Sequence, residues 1–176
     1  MQQALLFLLD TGFSLLFFVF LLRLLLQWSR ANFRNPLASA VLQASNWLVM
    51  PLRRLLPAIG KLDTATAVAL LAIALARVAA LEIVLGVGLP PAWPWFREAL
   101  LEIARSGLWL YFWAIFIYAL LSMIAPGIRS PLQDVLESLC EPLLYRIRAA
   151  IPSFAGLDLS PMWAGIIIQM LLILLR

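Results

Sequence analysis

From Ser106 to Ile128 the chain runs 23 residues without a charged side chain. A helix rises ~1.5 Å per residue, so such a run crosses the ~30 Å hydrocarbon core of a bilayer. Three more segments approach this length: 4–26, which carries Asp10 and Arg23; 64–85, which carries Arg77 and Glu82; and 159–175, which is uncharged. The last is short, and spans with some bilayer thinning or snorkelling. Apolar residues make up 64% of the chain and charged residues 12%, against ~25% charged in soluble domains. A chain of 176 residues cannot bury that excess within itself. The expectation is therefore an all-α membrane protein with four transmembrane helices. The first segment reads as a retained anchor, because no Lys or Arg precedes it and basic residues follow it.

Composition also removes function classes. With no His, Ser-His-Asp and Cys-His catalysis and every His-ligated metal site are excluded. A single Cys, Cys140, rules out an internal disulfide and a Cys-rich metal site. The reading is non-enzymatic, with no catalytic residue, no cofactor and no metal. The net charge of +4 sits between apolar runs, which points to topology and anionic lipid headgroups rather than nucleic acid. Arg30, Arg34, Arg53, Arg54 and Lys61 lie between the first two segments, and Arg129, Arg146 and Arg148 between the last two. Arg97 alone lies in the middle connection, with Arg105 near the start of the third segment. By the positive-inside rule both long loops are cytoplasmic and both termini external, with Trp93 and Trp95 at the outer interface.

An offset of 95 aligns the chain with itself. Arg34, Pro36, Leu37, Leu48, Arg53, Pro57, Leu62 and Asp63 fall on Arg129, Pro131, Leu132, Leu143, Arg148, Pro152, Leu157 and Asp158. The two copies, 1–88 and 98–176, are each span, loop, span. An even number of spans gives the copies the same orientation, so the repeats are parallel. Each loop predicts an amphipathic helix in the cytoplasmic interface, at about 36–56 and about 131–150. In the first, Leu37, Val41, Ala44, Leu48, Leu52 and Leu55 share the apolar face; in the second, Leu132, Leu136, Leu139 and Leu143 do. Asn35 and Ser130 are N-caps followed by Pro at N1, with Gln133 completing a capping box. Asp63 and Asp158 are placed to cap the second and fourth spans. Pro51 and Pro142 are expected to break or kink the loop helices.

These motifs, Arg34-Asn35-Pro36 with Pro51-Leu52-Arg53-Arg54-Leu55-Leu56-Pro57 and Asp63, and Arg129-Ser130-Pro131 with Glu141-Pro142-Leu143, Arg148, Pro152 and Asp158-Leu159-Ser160-Pro161, resemble the YggT family of bacterial membrane proteins, related to the YlmG proteins. The resemblance covers about 15–175 in two copies. The first copy departs from it, with Asn46-Trp47 for an acid-Pro pair and Thr64-Ala65-Thr66 for Ser-Pro. The resemblance implies the bacterial inner membrane and a role in osmotic or potassium homeostasis or in envelope organisation. In plastids it implies cytochrome maturation or nucleoid distribution. It implies no catalytic residue.

Charges inside spans are costly and often functional. Asp10 and Arg77 lie at comparable depth and are expected to pair, with Glu82 and Arg105 a second pair nearer the outer face. Each pair reads either as a structural salt bridge or as part of an ion pathway. Arg34, Arg53, Arg54, Arg129, Arg146 and Arg148 are the candidate contacts to anionic headgroups or membrane-protein partners, beside a purely topological role. Cys140 is either an acylation site or an inert buried thiol. Two functions compete: a scaffold or assembly factor using the loop helices, and a small channel or transport component formed by a homo-oligomer.

Overall fold

The computed structural model describes residues 2–56, 63–89, 91–124, 130–150 and 158–176. Among them are six α-helices and no strand. These are α1 (Gln2–Trp28), α2 (Pro36–Arg53), α3 (Thr64–Leu85), α4 (Ala92–Ile124), α5 (Pro131–Ala150) and α6 (Ser160–Leu174). α1, α3 and α4 are long and apolar enough to cross a membrane. Only 17%, 22% and 11% of their most apolar windows are buried. Phe7, Leu8, Leu15, Trp113, Met123 and Ile124 are among the exposed large side chains. Such a surface is incompatible with water as the sole solvent.

Two helices differ from expectation. The helix that carries the third apolar segment begins at Ala92, ahead of Ser106. Arg97, Glu98, Glu102 and Arg105 lower the local hydropathy, but Glu and Arg are good helix formers. Pro94 lies in the first turn, where a missing N–H costs nothing. α6 has 15 residues, a length of ~22 Å, which is short of a full ~30 Å core. Neither Pro51 nor Pro142 ends its helix: α2 continues to Arg53 and α5 to Ala150.

Helix ends follow local chemistry. Beyond α1 the Ala31 N–H bonds the Leu26 carbonyl and the Arg30 N–H the Gln27 carbonyl. That is a Schellman ending, with Arg30 at φ 56° in the left-handed position that Gly normally fills. α3 ends in the same way, with Gly86 at φ 76° and the Val87 N–H on the Glu82 carbonyl.

The chain forms two compact units, and these do not follow the repeat boundaries. The first comprises 1–24 and 41–104, the second 25–40 and 105–176. In the first unit Phe17, Phe20, Val49, Ala65, Ala69, Leu70, Ala74 and Ala99 are buried. Ala65 and Ala69, one turn apart on the same face of α3, are wholly buried, and small residues of this kind let membrane helices pack closely. In the second unit α5 packs on α6, burying Val135, Leu136, Leu139, Cys140, Leu144, Ile147, Ala164 and Ile168.

The buried face of α2 also departs from the periodicity. The helix ends at Arg53, short of the expected 56, so Leu55 lies beyond it and is exposed; Leu37 is exposed too, whereas Ala38, Ser45 and Val49 are wholly buried. The helix is turned so that a polar side chain faces inward, and Arg23 supplies the reason. α5 keeps Leu136 and Leu139 inside but leaves Leu132 exposed.

Candidate functional site

Arg23, in the middle of an apolar helix, is 1% exposed. A buried guanidinium needs acceptors, because leaving it bare costs several kcal/mol. Its Nη1 donates to Ser45 Oγ at 2.8 Å, Asn46 Oδ1 at 2.9 Å and the Leu42 carbonyl at 3.3 Å. The Ser45 hydroxyl in turn donates back to the Val41 carbonyl at 2.6 Å. Sequence reading placed Arg23 in the first span and missed its acceptors. The available signal was Ser45, a polar residue on the face that periodicity otherwise makes apolar.

A second cluster in the same unit gathers three ionic residues. Arg77 donates from Nη2 and Nε to Asp10 Oδ1 at 2.7 and 3.1 Å. Its Nη1 also contacts Glu102 Oε1. The Asp10 side chain is 48% exposed, those of Arg77 and Glu102 only 21% and 17%. The Asp10–Arg77 pair is thus present and extended by Glu102. That residue was hidden from sequence reading because it lies in the stretch assigned outside the third span.

Glu82 and Arg105 have separate surroundings. Arg105 donates from Nε to the Leu175 carbonyl at 2.9 Å. Glu82 is half-buried in a cavity with Trp93, Trp95 and Arg97.

The repeat-related Arg and Asp residues pair with each other. Arg53 holds Asp63 through Nη2 at 2.6 Å and Nε at 3.2 Å. The Thr66 hydroxyl donates to the same Asp63 oxygen at 2.7 Å. Asp63 does occupy the N-cap position of α3, yet makes no side-chain cap hydrogen bond; the arginine and the threonine claim its carboxylate. In the second unit Arg148 holds Asp158 at 2.8 Å and Glu141 at 2.7 Å. Asp158 Oδ1 also accepts the Ser160 N–H at 2.9 Å, one residue ahead of the Leu159 cap. Burial raises the Asp158 carboxyl, but contacts from Ser160 and Arg148 outweigh it and hold the group below its ordinary value. Burial alone would lower Arg148; its bond to Asp158 and the charge of Glu141 raise it instead.

The two cap-and-proline motifs meet. Asn35 Oδ1 accepts the Leu37 N–H at 2.9 Å, and its Nδ2 donates to the Pro131 carbonyl at 2.7 Å. Ser130 Oγ accepts the Gln133 N–H at 3.2 Å. Both motifs line an open cavity of about 930 Å³ with Arg34, Asp134, Glu137 and Tyr145. Arg34, Arg54 and Arg146 are exposed. Arg129 lies outside the described residues. Cys140 is fully buried; desolvation, then the nearby Glu141 charge, pushes its thiol up to about 12, which makes it unreactive. Among the described residues no group of His, Cys, Asp and Glu is arranged to hold a metal.

The CCB3/YggT family matches residues 2–84 and again 98–176. The chain belongs to this family. Two matched segments in one chain are consistent with a tandem repeat. The chain is 36% identical over 161 residues to the uncharacterized protein YggT of Escherichia coli K12, covering 92% of this chain and 83% of that one. It is 34% identical over 155 residues to an uncharacterized protein of the proC 3' region of Vibrio alginolyticus, covering 88% and 83%. No solved structure matches. The motif residues that meet in the large cavity, Asn35-Pro36 and Ser130-Pro131, come one from each family segment of this YggT-family chain.

Proposed function

We propose that this YggT-family protein is a non-enzymatic scaffold or assembly factor of the bacterial inner membrane, supporting osmotic and ion homeostasis and envelope organisation. In this reading the chain crosses four times, with α6 a short fourth crossing eased by local thinning. α2 and α5 lie in the cytoplasmic interface and both termini face outward. The exposed Arg34, Arg54 and Arg146 hold anionic headgroups or an acidic membrane-protein partner.

One observation carries the reading. Two arginines within the apolar helices are taken up inside the protein: Arg77 by the carboxylates of Asp10 and Glu102, and Arg23, through Nη1, by Ser45, Asn46 and a backbone carbonyl. Charges held this way stabilise helix packing and leave little for a hydrated path. The competing reading, a channel built by several copies, draws on the half-exposed Asp10. Oligomerisation would bring such carboxylates together.

Reconstitution of the pure protein in potassium-loaded liposomes separates the two. The scaffold reading expects leakage equal to that of empty vesicles. It also expects a variant with Arg34, Arg54 and Arg146 all changed to Gln to lose rescue of a deletion strain under osmotic upshift. Robust flux from the pure protein overturns it.

A further inference from the structure

A second cavity, of about 310 Å³, is built from the end of α3 and the start of α4. It is lined by Val78, Glu82, Trp93, Trp95, Arg97 and Glu98. Its composition is unusual for a membrane helix. Two carboxylates and two indoles share it with one guanidinium. Trp95 is locked by a hydrogen bond from its Nε1 to the Leu75 carbonyl at 3.0 Å, so its ring is a fixed wall. Trp93 and Arg97 stand one helical turn apart on the same face of α4. Neither Glu82 nor Arg97 has a side-chain hydrogen bond or ion pair to another described residue. Glu82 is nevertheless half-buried on an apolar helix.

A half-buried carboxylate without a partner calls for a cation. Indole faces favour ammonium groups over metal ions, through the ring quadrupole and apolar contact. Arg97 adds a site for a phosphate oxygen, which guanidinium binds well. We propose that this cavity binds an ammonium–phosphate zwitterion, the ammonium between Glu82 and the indoles of Trp93 and Trp95, the phosphate on Arg97. Two sources carry this chemistry: a phosphatidylethanolamine headgroup at the membrane edge and a free phosphoethanolamine ester. The site differs in location and charge from the arginines assigned to anionic lipid. It rests on the reading of α3 and α4 as membrane helices.

The test uses the full chain purified in detergent, with bound lipid read by native mass spectrometry. Phosphatidylethanolamine, phosphatidylglycerol and soluble glycerophosphoethanolamine are titrated against wild type, Glu82→Gln and Arg97→Gln. Losing one charged contact weakens binding about tenfold or more. Both variants are expected to lose phosphatidylethanolamine by that factor and to keep phosphatidylglycerol. Arg97 is exposed, so its variant folds even if Glu82→Gln does not. Competition by the soluble ester assigns the site to the headgroup alone; lipid binding without such competition assigns it to the whole lipid, and both uphold the proposal. Unchanged phosphatidylethanolamine binding in Arg97→Gln, or equal loss of both lipids, overturns it. A chain that stays monodisperse without detergent refutes the membrane reading instead, a separate result.

Discussion

The two repeats place different chemistry at matched positions. At the offset of 95, Arg23, Ser45 and Asn46 correspond to Tyr118, Cys140 and Glu141. Arg53 and Asp63 correspond to Arg148 and Asp158, and both pairs form. The first set holds two arginines against one aspartate, a net +1. The second holds one arginine against two acids, a net −1. Ser45 and Cys140 are both wholly buried. In the first repeat that position must accept a hydrogen bond from a buried cation. In the second, Tyr118 stands in the place of Arg23 within electrostatic reach of Glu141 and Arg148, and a thiol suffices. Duplication kept the Arg–Asp clasp and let its surroundings diverge in sign.

The largest test of this asymmetry lies where the second repeat has no counterpart, since Leu172 stands opposite Arg77. Arg77→Leu leaves Asp10 and Glu102 facing each other without a cation. A loss of about 3 kcal/mol is expected, read by chemical or thermal unfolding in detergent. Adding Asp10→Leu and Glu102→Leu is expected to restore most of it, because an apolar set replaces the network whole.

The clasps are next. Asp63 is 7% exposed and also accepts from Thr66, so Asp63→Asn is expected to cost about 2 kcal/mol. Asp158 is 44% exposed, and Asp158→Asn is expected to cost under about 1 kcal/mol. The Asp158 carboxyl is held below its ordinary value in the fold. Its contribution is therefore present above about pH 4, the unfolded value, and is lost as pH falls through the lower folded one. Unfolding of the Asp158→Asn protein should lose that increment of acid sensitivity. Equal costs at the two aspartates would erase the distinction between the clasps.

Smaller effects separate the buried pair. Ser45→Cys removes a good acceptor from Arg23 and should cost about 1 kcal/mol. Cys140→Ser should cost less, since a helical hydroxyl can bond the carbonyl four residues back, as Ser45 itself does. Arg30→Gly should stabilise by up to about 1 kcal/mol, by relieving the left-handed backbone that ends α1.

The sequence made the helices legible because their signals are local. The Thr64–Leu85 and Pro131–Ala150 bounds agree with the reading from apolar runs, caps and prolines. What escaped depended on distant partners. Glu102 reads as a loop charge until a helix is seen to carry it beside Arg77. Asp63 has the position and chemistry of a cap, yet Arg53, ten residues away, takes its carboxylate. The inward face of α2 is set by Arg23, and its own apolar periodicity does not record that. Hydropathy also gave no sign that the helix carrying the third apolar run starts as early as Ala92, because it measures solvent preference and not helicity.

The account depends on a duplicated hairpin crossing the bilayer four times, and α6 is its shortest element. Paired phosphatase and fluorescent-protein fusions after Arg176, in intact cells, test this directly. An active phosphatase and a dark fluorescent protein are predicted, as for an external carboxyl terminus. A bright fluorescent protein with a silent phosphatase would leave α6 on the cytoplasmic side and contradict the parallel repeats.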